Sequence, residues 1–429
     1  MERPRPHGIM HSPEQIFLAV FLVFLAGTAA VRVWLERRHL NHVAGHRERV
    51  PAEFASRISL DAHHKAADYT VAKTRLGIWE ILAGTALTLA FTVGGGLEAL
   101  SELAGRVAAP GGYAHGILLI LAVGVVSGLV DLPFGLYRTF VIEARFGFNK
   151  MTLGLYLADL AKQAALGAAL GAPLVLCVLW LMARAGDLWW LWTWGVWMVF
   201  NLAVLAIYPT FIAPLFNKFT PLSDQGLRSR IDALLAKCGF RARGLFVMDG
   251  SRRSSHGNAY FTGFGAAKRI VFFDTLLTRL EPPEVEAVLA HELGHFARRH
   301  IVKRIVMIFA GSFVLLALLG YAINQPWFYG AFGIQARTTA MALVLFFMVV
   351  PVFTYAFQPI AALYSRRHEY EADAYAAANS NAADLVQALV KLYQDNASTL
   401  TPDPLHSAFY DSHPPASLRI ARLQAMAGA

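Results

Sequence analysis

Seven apolar runs, near residues 16–35, 76–98, 114–136, 153–183, 188–213, 304–323 and 338–360, decide what this chain can fold into. Each is long enough to cross a bilayer as a helix, which takes about 20 apolar residues, and a helix satisfies its own backbone in hydrocarbon. The fourth run is longer than a bilayer needs, so it has to tilt, kink or protrude. Composition agrees. Of the 429 residues, 56% are hydrophobic and 16% charged, with a mean hydropathy of +0.44, whereas a soluble domain carries about a quarter charged residues. The expected fold is an all-α polytopic membrane protein of seven spans.

Loop charge sets the orientation. The stretch from Glu36 to Arg75 holds Arg37, Arg38, Arg47, Arg49, Arg57, Lys65, Lys73 and Arg75, and the loop after the third run holds Arg138, Arg145 and Lys150. Between Ser101 and Tyr113 only Arg106 is basic, and between Asn324 and Arg337 only Arg337. Basic loops stay cytoplasmic, which puts the N-terminus outside and both the block near 216–302 and the C-terminal tail in the cytoplasm. The net charge of +9 is therefore read as loop charge and not as a nucleic-acid surface. Cys177, in an apolar run, and Cys238, in the polar middle, are expected to stay unpaired. The first run opens with Ser12-Pro13-Glu14-Gln15, a cap with proline at the first helical position, and no small-residue cleavage site stands out after it. It is read as a retained helix and not a signal peptide.

Four charges fall inside the spans: Glu80, Asp131, Asp159 and Lys162. A charge facing lipid costs about 3 kcal/mol or more. These groups either pair locally near span ends or line a hydrated interior.

The block between the fifth and sixth spans is mixed. Ser223 to Gly239 has the pattern of a short amphipathic helix, with Leu227, Ile231, Leu234 and Leu235 on one face. Leu245–Met248 and Arg269–Phe273 read as short strands, with turn residues at Asp249-Gly250 and Gly263 to Gly265. Glu281-Pro282-Pro283-Glu284 then opens a helix with an acidic first turn. That helix carries His291-Glu292-Leu293-Gly294-His295.

His291 and His295 are four apart, so on a helix they share a face with about 6 Å between β-carbons. Two imidazoles at that spacing can bind one zinc ion through ~2.0–2.1 Å bonds. Glu292 lies beside the metal as a general base that takes a proton from water, and Gly294 leaves that face uncrowded. A catalytic zinc takes a third protein ligand and keeps one position open. The best candidate lies beyond the seventh span, in SRRHEYEADAYAAA from Ser365 to Ala378. Glu369 and Asp373 share one helical face there, and Ala372 and Ala376 permit close helix packing. The two intervening spans form a hairpin that returns Glu369 to the HELGH side of the membrane. Glu371 is a rival ligand on a different face, and His368 a weaker one. Asp373 is suited to accept a hydrogen bond from a ligating imidazole.

HELGH, a membrane hairpin and SRRHEYEADAYA together resemble the integral-membrane zinc peptidases with an EYxAD third-ligand motif. Further stretches make the chain similar to the type I CAAX prenyl endopeptidases within that group. They are FGFNK (146–150), IYPTFIAPLFNKFTPL (207–222), SRRSSHGNAYFTGFGAAKRIVFFDTLL (251–277) and DSHPPASLRIARL (411–423). The HtpX-type quality-control peptidases are shorter, usually with four spans. The resemblance implies His291, His295 and Glu369 as ligands of one zinc ion, Glu292 as base, and His413 as a histidine that approaches the site and steadies the oxyanion. It implies that Asn258, Ala259 and Tyr260 hold substrate backbone through an edge strand, a mode that needs no particular side chains. It implies seven helices around a water-filled chamber with the metal at its cytoplasmic end. Arg366 or Arg367 is expected to pair with Asp373 or to support the oxyanion.

Four regions are expected: spans 1–5 with their loops (1–215), a cytoplasmic catalytic region (216–302), spans 6–7 (303–360) and a C-terminal catalytic region with the third ligand (361–429). The expected activity is peptide hydrolysis on a peptide or protein substrate, lipidated or otherwise membrane-associated, at the bilayer. Two rivals are a broad-specificity membrane quality-control peptidase and a non-catalytic pore or transporter.

Overall fold

The computed structural model describes residues 12–262 and 269–427. Ser12 caps α1 (Pro13–Gly45): its side chain accepts from the Gln15 backbone, the Gln15 side chain accepts in return, and Pro13 takes the first helical position. At 33 residues, or about 50 Å at 1.5 Å per residue, α1 outruns the roughly 30 Å of hydrocarbon. Its far end reaches the C-terminal region, where Arg38 Nε lies 2.9 and 3.0 Å from the two Asp403 oxygens.

The second expected span is built differently from its apolar run. Helix α2 (Leu60–Phe91) starts well before it, and the chain then turns by 58° into α3 (Gly96–Gly105). The break falls at Gly94-Gly95-Gly96. Gly95 has φ +73°, and a Cβ on Gly94 or Gly96 would stand 2.8 or 2.7 Å from the Ala90 carbonyl oxygen. Only residues without side chains allow that bend.

Helix α4 (Tyr113–Tyr137) continues into a π-helical turn, Arg138–Glu143. Helix α5 (Leu153–Arg184) has the expected excess length and carries Pro173, and α6 (Trp189–Ile207) ends in a second π-helical turn, Tyr208–Ile212. Such turns are rare and concentrate at functional positions. Here the unit that follows holds both: Arg269 Nη1 donates to the Pro209 carbonyl at 3.3 Å, and His256 Nε2 lies 3.4 Å from Glu143 Oε2.

A mixed α/β unit follows as β1 (Phe219–Pro221), α7 (Gln225–Lys237), β2 (Gly244–Met248), β3 (Ala259–Thr262), β4 (Arg269–Phe273), α8 (Asp274–Leu277) and α9 (Pro282–Ala297). Its sheet has the order β1-β2-β4-β3. The central strands β2 and β4 are parallel and are the two expected from sequence; the outer pairs are antiparallel. The expected turn at Gly263 to Gly265 lies outside the described residues. All four apolar residues of the α7 face are buried and join a core with Ile270, Phe272, Leu289 and Leu293.

The chain re-enters the spans as α10 (His300–Ala322), passes α11 (Pro326–Gly330), and returns as α12 (Thr339–Thr354) and α13 (Gln358–Asn379). A single 3-10 turn, Tyr355–Phe357, joins the last two, so the seventh span does not stop near 360 but runs on as the helix that carries Glu369. Helices α14 (Ala382–Asp395), α15 (Pro404–Tyr410) and α16 (Ala416–Ala427) complete the unit.

Among the described residues, six helices are long and apolar enough to cross a membrane, or seven with the bent pair α2–α3 counted as one span. Their most apolar stretches are thinly buried, from 6% of residues in α4 to 17% in α10, against 44% in α12. Helix α12 is thus the packed centre, with Met341, Leu345 and Val349 beside Phe21, Leu119 and Leu179. On one side of it lies an apolar cavity of about 700 Å³, lined by residues such as Val123, Val178, Trp197 and Leu315. On another lies a more polar cavity of about 570 Å³ that includes Thr28, Arg32, Thr85 and Gln358. Phe347 and Met348 border both.

Three of the four charges expected inside the spans are locally paired. Glu80 meets Arg138. Asp159 takes a bidentate pair of hydrogen bonds from Arg253 at 2.8 and 3.0 Å, and Lys162 donates to the Leu215 carbonyl. Asp131, the fourth, is exposed in the structure.

Candidate metal centre

Helix α9 is set by its entry: Glu281 and Glu284 form a reciprocal cap, with Pro282 at the first position. One turn from its end, the rings of His291 and His295 stand 5.0 Å apart. Helix α13 lies against this face at very close range. A Cβ on Gly294 would stand 2.8 Å from the Ala372 Cα and 3.1 Å from the Tyr375 Cβ, so glycine at 294 and alanine at 372 let the helices meet. The approach brings Glu369 to both imidazoles.

The three side chains present a triangle of ligand atoms. His291 Nε2 lies 3.3 Å from His295 Nε2 and 3.4 Å from Glu369 Oε2, and His295 Nε2 lies 3.4 Å from Glu369 Oε1. A tetrahedral ion with bonds of ~2.0–2.1 Å has ligand separations of about 3.3–3.4 Å. Glu369 Oε2 is buried and has no hydrogen-bond partner among the described residues. A cation within the triangle would satisfy that oxygen and both nitrogens. The residues fit a metal.

His291 is held from behind. His291 Nδ1 donates to Asp373 Oδ1 at 2.9 Å, which leaves its Nε2 lone pair free. Asp373 in turn receives a bidentate pair from Arg419 at 2.6 and 2.9 Å, with all three side chains buried. Burial opposes the Asp373 charge, but hydrogen bonds from His291 and Arg419 outweigh it and hold the carboxyl below its usual range. Burial likewise opposes charge on His291, yet its bonds to Asp373 and Glu369 raise it to about 9. The pocket is built to hold positive charge.

Glu292 is half-buried at the triangle's side, with no hydrogen-bond partner among the described residues, and burial raises its carboxyl above the usual value. His413 is exposed and stands with Nε2 3.5 Å from Glu369 Oε1, while its Nδ1 meets the Ser412 hydroxyl at 2.9 Å. Asn258 directly precedes β3, and Ala259 and Tyr260 lie in it, at the open edge of the sheet. The Phe261 and Phe296 rings, 5.1 Å apart, bring that strand against α9. FGFNK and the segment before β3 lie together: the Phe148 carbonyl accepts from the Ser255 backbone, and the Phe148 ring stacks on His256 at 4.4 Å.

The expected arginine partner of Asp373 is corrected. Arg366 Nη1 turns away to the carbonyls of Ser407, Ala408 and Asp411, bracing the approach to His413, and Arg367 pairs with Glu371 at 3.3 Å. Arg419 takes the place foreseen for either. Helix α16 delivers it, and nothing in the sequence alone marks it among the other arginines. Glu371 faces away from the triangle and meets His300 at 3.0 Å, and His368 stacks on His300 at 3.9 Å. Neither rival joins the triangle.

Known proteins agree with this fold. Residues 39–218 match the family described as "CAAX prenyl protease N-terminal, five membrane helices", and residues 221–427 match peptidase family M48. The CAAX prenyl protease 1 homolog of Arabidopsis thaliana is 38% identical over 317 residues, covering 73% of this chain and 74% of the relative. The Caenorhabditis elegans homolog is 32% identical over 95% of this chain and 98% of its own. The crystal structure of S. mikatae Ste24p superposes with a TM-score of 0.90 at 31% identity, covering 96% of this chain and 99% of that one. With a span architecture, a metal triangle and full-length relatives in agreement, this chain belongs to the M48 family of membrane metallopeptidases, in the group of the CAAX prenyl proteases.

Proposed function

We propose that this protein is a zinc endopeptidase that works at the cytoplasmic face of the membrane, with His291, His295 and Glu369 holding one zinc ion. The observation that carries the reading is the triangle of side-chain atoms 3.3–3.4 Å apart, with the Glu292 carboxylate, raised in pKa by burial, beside it. Bound there, zinc would supply Lewis-acid polarisation of the scissile carbonyl and a lowered pKa, about 7, for its water.

The chain's own residues divide the rest. Glu292 accepts the proton of the attacking water and passes it to the leaving amine; its raised pKa suits a group that must both take and give a proton. His413, over the exposed side of the triangle, steadies the developing oxyanion. Asp373 and Arg419 keep His291 in the tautomer that offers Nε2. The β3 edge from Asn258 through Tyr260 lends the substrate main-chain hydrogen bonds.

The relatives are named for prenylated CAAX substrates, which makes the C-terminal tripeptide of a lipidated protein the favoured substrate. The basic loops support a cytoplasmic catalytic unit. The test combines metal analysis with cleavage of a prenylated CAAX peptide and its unprenylated twin. Wild type should hold one zinc and prefer the prenylated peptide. Glu292→Gln should keep zinc and lose cleavage, and Glu369→Ala should lose both. Cleavage by Glu292→Gln at the wild-type rate would refute the assigned base; equal cleavage of the twins would indicate a broad quality-control activity instead.

A further inference from the structure

The two metal-site histidines are held in different ways. His291 leans on a carboxylate, but His295 leans on another histidine: its Nδ1 lies 2.9 Å from His300 Nδ1. His300 is buried, its ring is stacked on His368 at 3.9 Å and 10°, and its Nε2 lies 3.0 Å from Glu371 Oε2. Glu371 is anchored in turn by Arg367 at 3.3 Å and Lys303 at 3.8 Å. The geometry exists because the chain breaks at Arg299, a non-glycine residue in the left-handed region with φ +56°. A straight continuation of α9 would carry His300 round to another face, since five residues span 500°. The break costs on the order of 1–2 kcal/mol, and strain of this kind collects at functional sites.

We propose that His300 and Glu371 form a positioning chain that holds the His295 ring in its metal-ready tautomer. The inference rests on the reading that His291, His295 and Glu369 hold zinc. A neutral imidazole has one donor nitrogen and one acceptor. For His295 Nε2 to offer a lone pair, its proton must sit on Nδ1 and be donated to His300 Nδ1. His300 must then carry its own proton on Nε2, where Glu371 accepts it. The reverse order puts the His295 proton on Nε2, aimed at His291 Nε2 only 3.3 Å away. It also sets a His300 lone pair against the Glu371 carboxylate. Glu371 therefore selects the useful order through two rings. The carboxylate that sequence offers as a rival ligand acts from behind the second histidine.

Zinc affinity of the purified full-length protein, measured by chelator competition, tests the chain without reference to activity. His300→Phe keeps the ring stacking but offers no nitrogen, and should weaken zinc binding roughly 10–100-fold. Glu371→Leu should weaken it roughly tenfold, whereas Glu371→Gln, whose amide oxygen still accepts from Nε2, should stay within about threefold of wild type. Because the two residues act in series, His300→Phe combined with Glu371→Leu should bind no more weakly than His300→Phe alone. Wild-type affinity in Glu371→Leu, equal loss in Glu371→Leu and Glu371→Gln, or additive losses in the double variant would each overturn the chain. If His300→Phe fails to fold, the Glu371 pair decides. Wild type without zinc would instead sink the metal reading beneath it.

Discussion

Between α9 and α13 one added methyl group has nowhere to go, since a Cβ on Gly294 would stand 2.8 Å from the Ala372 Cα. In the spans, a Cβ on Gly124 or Gly311 would meet no atom within 4 Å. The first region is a seam where buried charges face one another across two helices. The second is a set of helices, thinly buried, that border cavities. The difference follows from what each must do. Ligand atoms have to converge within tenths of an ångström, which requires a close-packed frame. The helices around the apolar cavity need only satisfy their own backbones and leave space between them, whereas elsewhere the spans also close-pack, as where a Cβ on Gly320 would stand 2.7 Å from Trp190.

That contrast can be broken or sharpened by three substitutions, followed by thermal unfolding in detergent together with metal content. Arg419→Met should have the largest effect. It leaves Asp373 buried without its guanidinium, which costs about 3–5 kcal/mol, and it frees His291 to turn, so metal should be lost as well. Gly294→Ala comes next, at about 1–3 kcal/mol of overpacking. Its signature is loss of metal with helical content intact, because α9 and α13 must separate while the spans stay in place. Gly311→Ala, on the wall of the apolar cavity, should change stability by less than about 0.5 kcal/mol. If Gly311→Ala lowers the melting temperature as far as Gly294→Ala, the spans are packed as tightly as the seam and the comparison fails.

The parts of the site that lie within one helix were readable from spacing. His291, Glu292 and His295 follow from helical periodicity, as do Glu369 and Asp373 on the face that α13 turns to α9. The capped starts of α1 and α9 and the two central strands were legible for the same reason: their signals are local. The edge strands β1 and β3, of three and four residues, are too short to show alternation, and they form because a neighbour supplies hydrogen bonds. The bend between α2 and α3 was hidden because an apolar run records only that a segment tolerates lipid, not that three glycines let it turn.

The partners across elements mark the other limit. Asp159 reads as a bare charge in a span until Arg253 arrives from the α/β unit, and Asp373 accepts Arg419 although Arg366 and Arg367 stand closer along the chain. Sequence by itself determined that this protein crosses a membrane several times, carries paired histidines one turn apart, and returns a carboxylate to them. Those facts depend on bilayer thickness and helical pitch, which act within a segment. Tertiary structure alone decided which guanidinium steadies Asp373, that His300 folds back on His295, and that Glu371 stays behind the site. Those choices depend on how α16, α13 and the break at Arg299 pack together, and contacts between distant segments leave no periodic mark along a chain.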